Sequence, residues 1–307
     1  MNPRELFFDK VYKKVVAGED IVIVTPDLAA PSLDQFRRDY PERYISVGVA
    51  EQSLISTACG LALGGKRVIA WGLNPFVVTR GLDQIRNTIS LMKIPIVFAG
   101  LHTGLSSAIS GPTHVVITDL ALVKTCENIT IYNPSDCNIC DRIFEDVLHF
   151  DRPCYLRFDK DINYELVREY TYYPDGFSIV VKGDNSTAII STGFHVNICK
   201  EMIEEENREI TLIDVFRMPC NKDSLFNEIK RFKQIITVEE HILQGGFGSF
   251  ILEVIADHKG SIPVKRIGID LEKGYPDFFG TRAYFENYMG LDKQGIKIAI
   301  DSIIDNA

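Results

Sequence analysis

Short apolar, β-branched runs alternate along this chain with longer stretches of helical periodicity. Asp20–Pro26 (DIVIVTP), Arg67–Trp71 (RVIAW), Ile94–Gly100 (IPIVFAG) and Ile129–Asn133 (ITIYN) are apolar almost throughout rather than alternating, and Gly, Pro or Asn ends each of them. Such runs predict strands buried on both faces. Between them, Gln52–Leu63, Leu82–Met92, His114–Lys124 and Ser135–His149 predict helices. Doubly buried strands separated by helices imply a parallel sheet covered on either side.

A second α/β series follows a weaker stretch. Tyr170–Asn185 (YTYYPDGFSIVVKGDN) mixes Pro, Gly and Asp with a few strand-forming residues and is taken as a join. Beyond it, strands are expected at Thr187–Ser191, Ile210–Asp214 and Gln234–Val238, with helices over His195–Glu206, Lys222–Lys230 and Phe250–His258. The expected architecture is α/β, with two domains at residues 1–170 and 185–307. Each would be a mostly parallel sheet flanked by helices. The acidic run Glu204–Glu206 reads as a solvated helix end.

Composition narrows the function. The 307 residues are 46% hydrophobic and 24% charged, which excludes disordered, collagen-like and coiled-coil classes. No apolar run reaches the ~18 residues of a spanning helix, and the N-terminus has no apolar signal core. Seven scattered cysteines, an odd number, argue against a disulfide framework and for a reduced, cytoplasmic protein. The formal charge of −9 disfavours a sequence-independent nucleic-acid binder. An enzyme or an enzyme subunit is the expectation.

Two segments hold candidate chemistry. In Val47-Gly-Val-Ala-Glu51-Gln-Ser-Leu, a carboxylate stands at a strand-to-helix transition, the edge where open α/β sheets bind ligands. Taken alone, Glu51 reads rather as a first-turn acid favoured by the helix dipole. In Ile94–His114 a strand leads into a Gly- and Ser-rich loop bracketed by His102 and His114. Imidazoles at both ends of one loop suit proton transfer and anion contact at neutral pH. No third ligand at metal spacing is evident, so no metal is expected on this chain. Cys137-Asn-Ile-Cys140 falls inside an expected helix, where packing is the better reading than redox chemistry.

Taken with Trp71–Asn87, these segments resemble the transketolase family, in particular the pyrimidine-binding and C-terminal domains of thiamine-diphosphate enzymes. The matching motifs are GVAEQ (within Val47–Gln52), F-x-x-x-R-x-x-D-Q-I-R-N (Phe76–Asn87), H-x11-H ending in GPTH (His102–His114) and NPSD (Asn133–Asp136). Further on come EEH followed by GGFGS (Glu239–Ser249) and GLDKQGI (Gly290–Ile296). They fall in family order over nearly the whole chain.

The resemblance implies site roles. Glu51 matches the glutamate that shares a proton with the cofactor's aminopyrimidine ring, a task suited to a buried carboxylate beside an apolar ring. Phe76 matches the aromatic stacked on that ring, and Leu73 stands where many relatives carry a second aromatic. His102 and His114 match histidines facing the substrate and the reactive carbon. Arg157, in Tyr155-Leu-Arg-Phe, matches loosely an arginine that holds a sugar phosphate. Ser110 departs from the Asp that precedes GPTH in many transketolases, which puts the donor's stereochemistry in question.

An absence in the motifs points to a partner. The family holds the cofactor's diphosphate through Mg²⁺, bound by a G-D-G motif and a later Asn. Here Gly adjoins Asp only in Pro174-Asp-Gly and Gly183-Asp-Asn. The chain is therefore expected to be the C-terminal half of a split transketolase, using thiamine diphosphate with Mg²⁺ ligands from an N-terminal transketolase subunit in an α2β2 assembly. It would transfer a two-carbon ketol unit from a ketose, or its phosphate, to an aldose, with no nucleic-acid or membrane partner. Three alternatives stand beside it: the β subunit of a 2-oxoacid dehydrogenase first component, a deoxyxylulose-phosphate-synthase-like enzyme, and a non-catalytic regulatory subunit.

Overall fold

The computed structural model describes residues 1–307 except Ala29, Phe150, Glu169, Asn185, Pro276, Asp277 and 305–307. Asn185, where the expected join ends and the second expected domain begins, thus lies outside the described residues, as does the chain end. Two units are distinguished by their internal contacts: Met1–Thr103, Leu122–Tyr132 and Asp136–Tyr164 form the first, and Gly104–Ala121, Asn133–Ser135 and Glu165–Ala307 the second.

The first unit opens with α1 (Pro3–Val16), a helix that no apolar run predicts. Local chemistry starts it: the Asn2 side chain accepts from the Glu5 amide at 3.0 Å, and the Glu5 carboxylate accepts from the Asn2 amide at 3.3 Å. This reciprocal cap satisfies two of the helix's orphan donors, and Pro3 presets the first turn. There follow β1 (Ile21–Thr25), α2 (Asp34–Asp39), β2 (Tyr44–Ser46), α3 (Glu51–Leu63) and β3 (Arg67–Leu73). Next are α4 (Asn74–Thr79), α5 (Leu82–Gln84) with a π-helical continuation Ile85–Ser90, and β4 (Val97–Leu101). α6 (Asp119–Lys124), β5 (Thr130–Tyr132), α7 (Cys137–His149) and β6 (Cys154–Phe158) complete the series.

Within the first unit the strands run β5-β6-β4-β3-β1-β2, all parallel. All five residues of β1, β4 and β6 are buried, as doubly covered strands require. Trp71 and Phe8, both fully buried, meet edge-on at 4.9 Å and pin α1 to the sheet. The topological switch lies at β1 and β3: β1 leads out to β2, while β3 leads the other way to β4. The crevice beyond the C-terminal ends of these strands is where such sheets bind ligands.

The second unit holds β7 (Tyr170–Tyr172), β8 (Phe177–Val181), β9 (Thr187–Ser191), β10 (Thr211–Val215), a two-residue β11 (Arg217–Met218), β12 (Gln234–Ile242) and β13 (Val264–Ile269). Its helices are α8 (His195–Glu205), α9 (Lys222–Ile229), α10 (Phe247–Asp257), α11 (Arg282–Met289) and α12 (Lys293–Ile304). The sheet order is β13-β12-β9-β10-β8-β7. The inner pairs are parallel, whereas β8 runs antiparallel to both β10 and β7. Both units are therefore mostly parallel sheets flanked by helices.

Two expectations need correcting. The joining stretch is not irregular: it contains β7 and β8, and four of the five β8 residues are buried. The expected helix His114–Lys124 begins only at Asp119. Before it, Val116 and Gly104 exchange backbone hydrogen bonds at 3.1 Å, and this antiparallel bridge holds the β-branched segment Val115–Ile117 extended. The bridge won over the helical pattern.

Candidate functional site

The C-terminal edge of the first sheet gathers the acidic and aromatic candidates. Glu51 opens α3 just after β2 and is only 3% exposed. Burying a carboxylate is costly unless it is paired, and Arg80 supplies the pair, its Nη1 2.7 Å from Glu51 Oε2. The same guanidinium lies 4.2 Å over the ring of Phe76, on α4. Arg80 thus brings Glu51 and Phe76 together. It is a site residue that sequence reasoning left as one letter of a motif, although its spacing four residues after Phe76 was the available signal.

Behind this pair lies Asn74, at the first turn of α4 and fully buried. Tyr155 donates its hydroxyl to Asn74 Oδ1 at 2.6 Å. A Cβ on Gly100 would overlap that same oxygen, so only glycine fits there on β4. The Asn74 side-chain nitrogen is buried and has no hydrogen-bond partner among the described residues. It is a donor in place for an acceptor. Arg157 sits on β6 in register with Gly100 and is 5% exposed.

His102 follows β4 directly and is half-buried, with a backbone φ of 71°. The left-handed region is uncommon for any residue with a Cβ and costs about 1–3 kcal/mol, a strain that clusters at functional sites. Its neighbour Thr103 donates to Asp159 Oδ2 at 3.1 Å, tying the end of β4 to the end of β6.

Ser110 and His114 belong to the second unit, within Gly104–Ala121. The Gly104–Val116 bridge closes this segment into a loop. Two short 3₁₀ turns, Ala108–Ser110 and Pro112–His114, meet at Gly111 with φ of 85°. Ser110 is exposed and His114 half-buried, with Thr113 Oγ1 3.1 Å from His114 Nδ1. Phe279, 74% exposed, lies against Gly111 so closely that a Cβ there would meet its ring. The loop therefore presents the His114 imidazole and the Ser110 and Thr113 hydroxyls, with the Phe279 ring against it at Gly111.

Other motifs prove to be scaffold. In NPSD, the Asn133 side chain donates to Thr192 Oγ1 at 3.0 Å, and Ser135 donates to the Asp214 carboxylate. Arg168 joins that network, donating to Asp214 at 3.2 Å, Ser135 at 2.9 Å and Ser178 at 3.1 Å. Arg168 and Asp214 are both buried, and breaking such a pair from one side typically costs about 3–5 kcal/mol. Cys137 and Cys140 face the start of α1, their thiols 3.2 Å from the Met1 and Pro3 carbonyls, which supports packing over redox chemistry.

All seven cysteines are free thiols. Burial pushes the Cys140, Cys154, Cys199 and Cys220 thiols well above their ordinary range, away from the reactive thiolate. Cys137 alone is not fully buried. Brief iodoacetamide treatment of the folded protein is expected to label Cys137 first, as read by peptide mass mapping; equal early labelling of Cys140 would contradict the packing.

Among the described residues no group of three or more His, Cys, Asp or Glu side chains is placed to hold a metal ion, and no helix is long and apolar enough to cross a membrane. The residues present fit an aminopyrimidine. Glu51 offers a buried carboxylate, Phe76 an aromatic face and Asn74 an unused buried donor.

Comparison with known proteins covers nearly the whole chain. The model for the transketolase pyrimidine-binding domain matches residues 2–164, and that for the transketolase C-terminal domain matches residues 177–296. The chain is 32% identical to one of the subunits of the apulose-4-phosphate transketolase of Actinobacillus succinogenes, over 98% of this chain and 96% of that one. It is 29% identical to 1-deoxy-D-xylulose-5-phosphate synthase 2 of Geobacter sulfurreducens, over 92% of this chain but only 46% of that longer protein. Among solved structures, a split-gene transketolase described as an inactive β4 tetramer superposes with a TM-score of 0.84 at 25% identity, covering 98% of both chains.

Proposed function

The chain belongs to the transketolase family, and we propose from that premise that it is the C-terminal subunit of a split transketolase. It transfers a two-carbon ketol unit from a ketose, or its phosphate, to an aldose, using thiamine diphosphate held jointly with an N-terminal subunit. The observation that carries the reading is the buried Glu51 beside Phe76, held by Arg80. Thiamine diphosphate, when bound, would supply a nucleophilic carbon for chemistry at the donor carbonyl. Mg²⁺ for its diphosphate would come with ligands from the partner subunit, in an α2β2 assembly of the reducing cytoplasm.

The chain's own residues divide the remaining work. Glu51 holds a proton at the pyrimidine nitrogen, and Phe76 offers its ring face, an arrangement worth about 0.5–1.5 kcal/mol beyond burial. Arg80 fixes the orientation of the carboxylate, leaving one oxygen engaged and the group aligned. His102 and His114 hydrogen-bond the substrate hydroxyls and move protons at the donor and acceptor carbonyls. Arg157 contacts a phosphate on the sugar, for which a planar guanidinium is well suited.

Ser110 bears on the choice of donor. A carboxylate accepting from a sugar hydroxyl makes a charge-assisted bond roughly twice as strong as a neutral one. A neutral, exposed hydroxyl in its place weakens discrimination at that position. The donor is therefore expected to differ from xylulose 5-phosphate near C3, or several donors are accepted. The Actinobacillus relative, named for apulose 4-phosphate, agrees with a donor outside the usual set. Donors compared by kcat/KM in the assembled complex, for wild type and Ser110→Asp, should show broad acceptance that the substitution narrows. A wild type strongly selective for xylulose 5-phosphate and indifferent to the substitution would remove Ser110 from donor reading. A 2-oxoacid run in the same panel tests the synthase-like and dehydrogenase-like alternatives, the former suggested by the Geobacter relative.

A further inference from the structure

The motif Glu239-Glu240-His241 lies on β12, far along the chain from the candidate site residues. In the ladder between β12 and β13, Val238 pairs with Ile267 and Ile242 with Ile269, so the three motif residues stand opposite Gly268 alone. Such an irregularity bends a strand and re-aims its side chains. Here the three side chains take three separate partners. Glu239 accepts from the Phe247 and Gly248 amides at 2.5 and 2.8 Å, capping the start of α10. Glu240 accepts from Arg282 Nη2 at 2.5 Å, and its carboxylate fills the space that any side chain on Gly104 would need. His241 Nε2 accepts from the Leu120 amide at 3.0 Å and lies 3.3 Å from Asp119 Oδ1.

One of these partners, Asp119–Leu120, closes a loop whose opening residue, Gly104, lies against the Glu240 carboxylate. Gly104 opens the segment that carries Ser110 and His114, and Asp119–Leu120 close it; the Ile242 amide adds a bond to the Ile117 carbonyl at 3.0 Å. Glu239, Glu240 and His241 are 1% exposed, 8% exposed at the side chain, and 1% exposed. Buried polar groups in contact with the loop favour this arrangement, because moving its ends away would leave the Leu120 amide and the His241 ring nitrogen unpaired. We propose that Glu240 and His241 are positioning residues: the irregular end of β12 clamps both ends of the 104–121 loop and so fixes Ser110 and His114 for the substrate. The clamp as a substrate device rests on the functional reading above; the clamp itself does not.

The test separates the two. Hydrogen–deuterium exchange on the full-length chain reads the amides of Val116, Leu120 and Ile242 without any activity. His241→Leu, which cannot accept from Leu120, is expected to speed exchange at these amides at least about tenfold while 234–238 of β12 stay protected. His241→Gln, whose carboxamide oxygen can accept from Leu120, should restore protection. Should the leucine variant fail to fold, Glu240→Gln, which removes the charge facing Arg282 and little volume, is expected to give a localised loss at Val116. In the assembled complex, a loosened loop is expected to raise the donor KM by about tenfold with a smaller change in kcat, since misplacing a contact by ~1 Å can cost up to a hundredfold. Unchanged exchange in both His241→Leu and Glu240→Gln overturns the clamp. Loss of protection without any ketol transfer by wild type overturns the functional reading and leaves the clamp standing.

Discussion

Glu51→Gln is expected to lower ketol transfer by the assembled complex about 10²–10⁴-fold, the range that a single positioned acid or base contributes. Glutamine preserves shape and can still accept from Arg80, yet it cannot hold and return a proton at a ring nitrogen. The fold should hardly notice. Glu51 is buried, but Arg80 is 48% exposed at its side chain and can turn to water when its partner loses charge. Removing the buried charge removes its desolvation cost together with the pair, so calorimetry should find the melting temperature shifted by only a few degrees. Turnover within a few-fold of wild type, at unchanged affinity for the partner, would remove Glu51 from the chemistry.

The second large effect concerns the partner. Among the described residues there is no cluster fit for a metal ion, and the charge-assisted contacts to a diphosphate are the strongest such a cofactor makes. Isothermal titration of the chain alone with thiamine diphosphate and Mg²⁺ is therefore expected to show no Mg²⁺-dependent binding. Adding an N-terminal subunit that carries a G-D-G motif with a later Asn should create affinity and activity together. Tight Mg²⁺-dependent binding by this chain alone would refute the split-site reading.

Much of the scaffold was legible because burial leaves a plain imprint. The strands β1, β3, β4 and β5 are covered on both faces, and their apolar runs need no tertiary knowledge to read. α1 was not legible in that way, since its signal is a reciprocal cap at Asn2 and Glu5 rather than an apolar stripe. β8 was hidden by the Pro-Asp-Gly beside it, though Phe177–Val181 pairs with β10 antiparallel and so belongs to the sheet. Glu51 could be picked from its place at a strand-to-helix transition, whereas Arg80 showed only as a letter of the Phe76 motif, because its salt bridge across 29 residues is decided by packing. The helix expected at His114 failed for a related reason. Its Val115–Ile117 segment is claimed by Gly104 and by β12, neither of which periodicity can see.

The Gly104–Ala121 loop has a consequence for how the chain is made. Its amide at Leu120 waits for His241, 121 residues later. At a synthesis rate of ~5–20 residues per second, roughly 6–24 s pass between the emergence of the two. From Phe158 onward, the later part of that interval, the first unit's sheet strands can already be complete, whereas Val115–Ile117 has no β12 to receive it. The nascent chain therefore carries a temporarily unsheltered β-branched segment, and its fate depends on translation reaching the irregular end of β12. A ribosome stalled short of Glu239 leaves the first sheet complete while the 104–121 loop, which carries Ser110 and His114, still lacks the β12 contacts that hold its end.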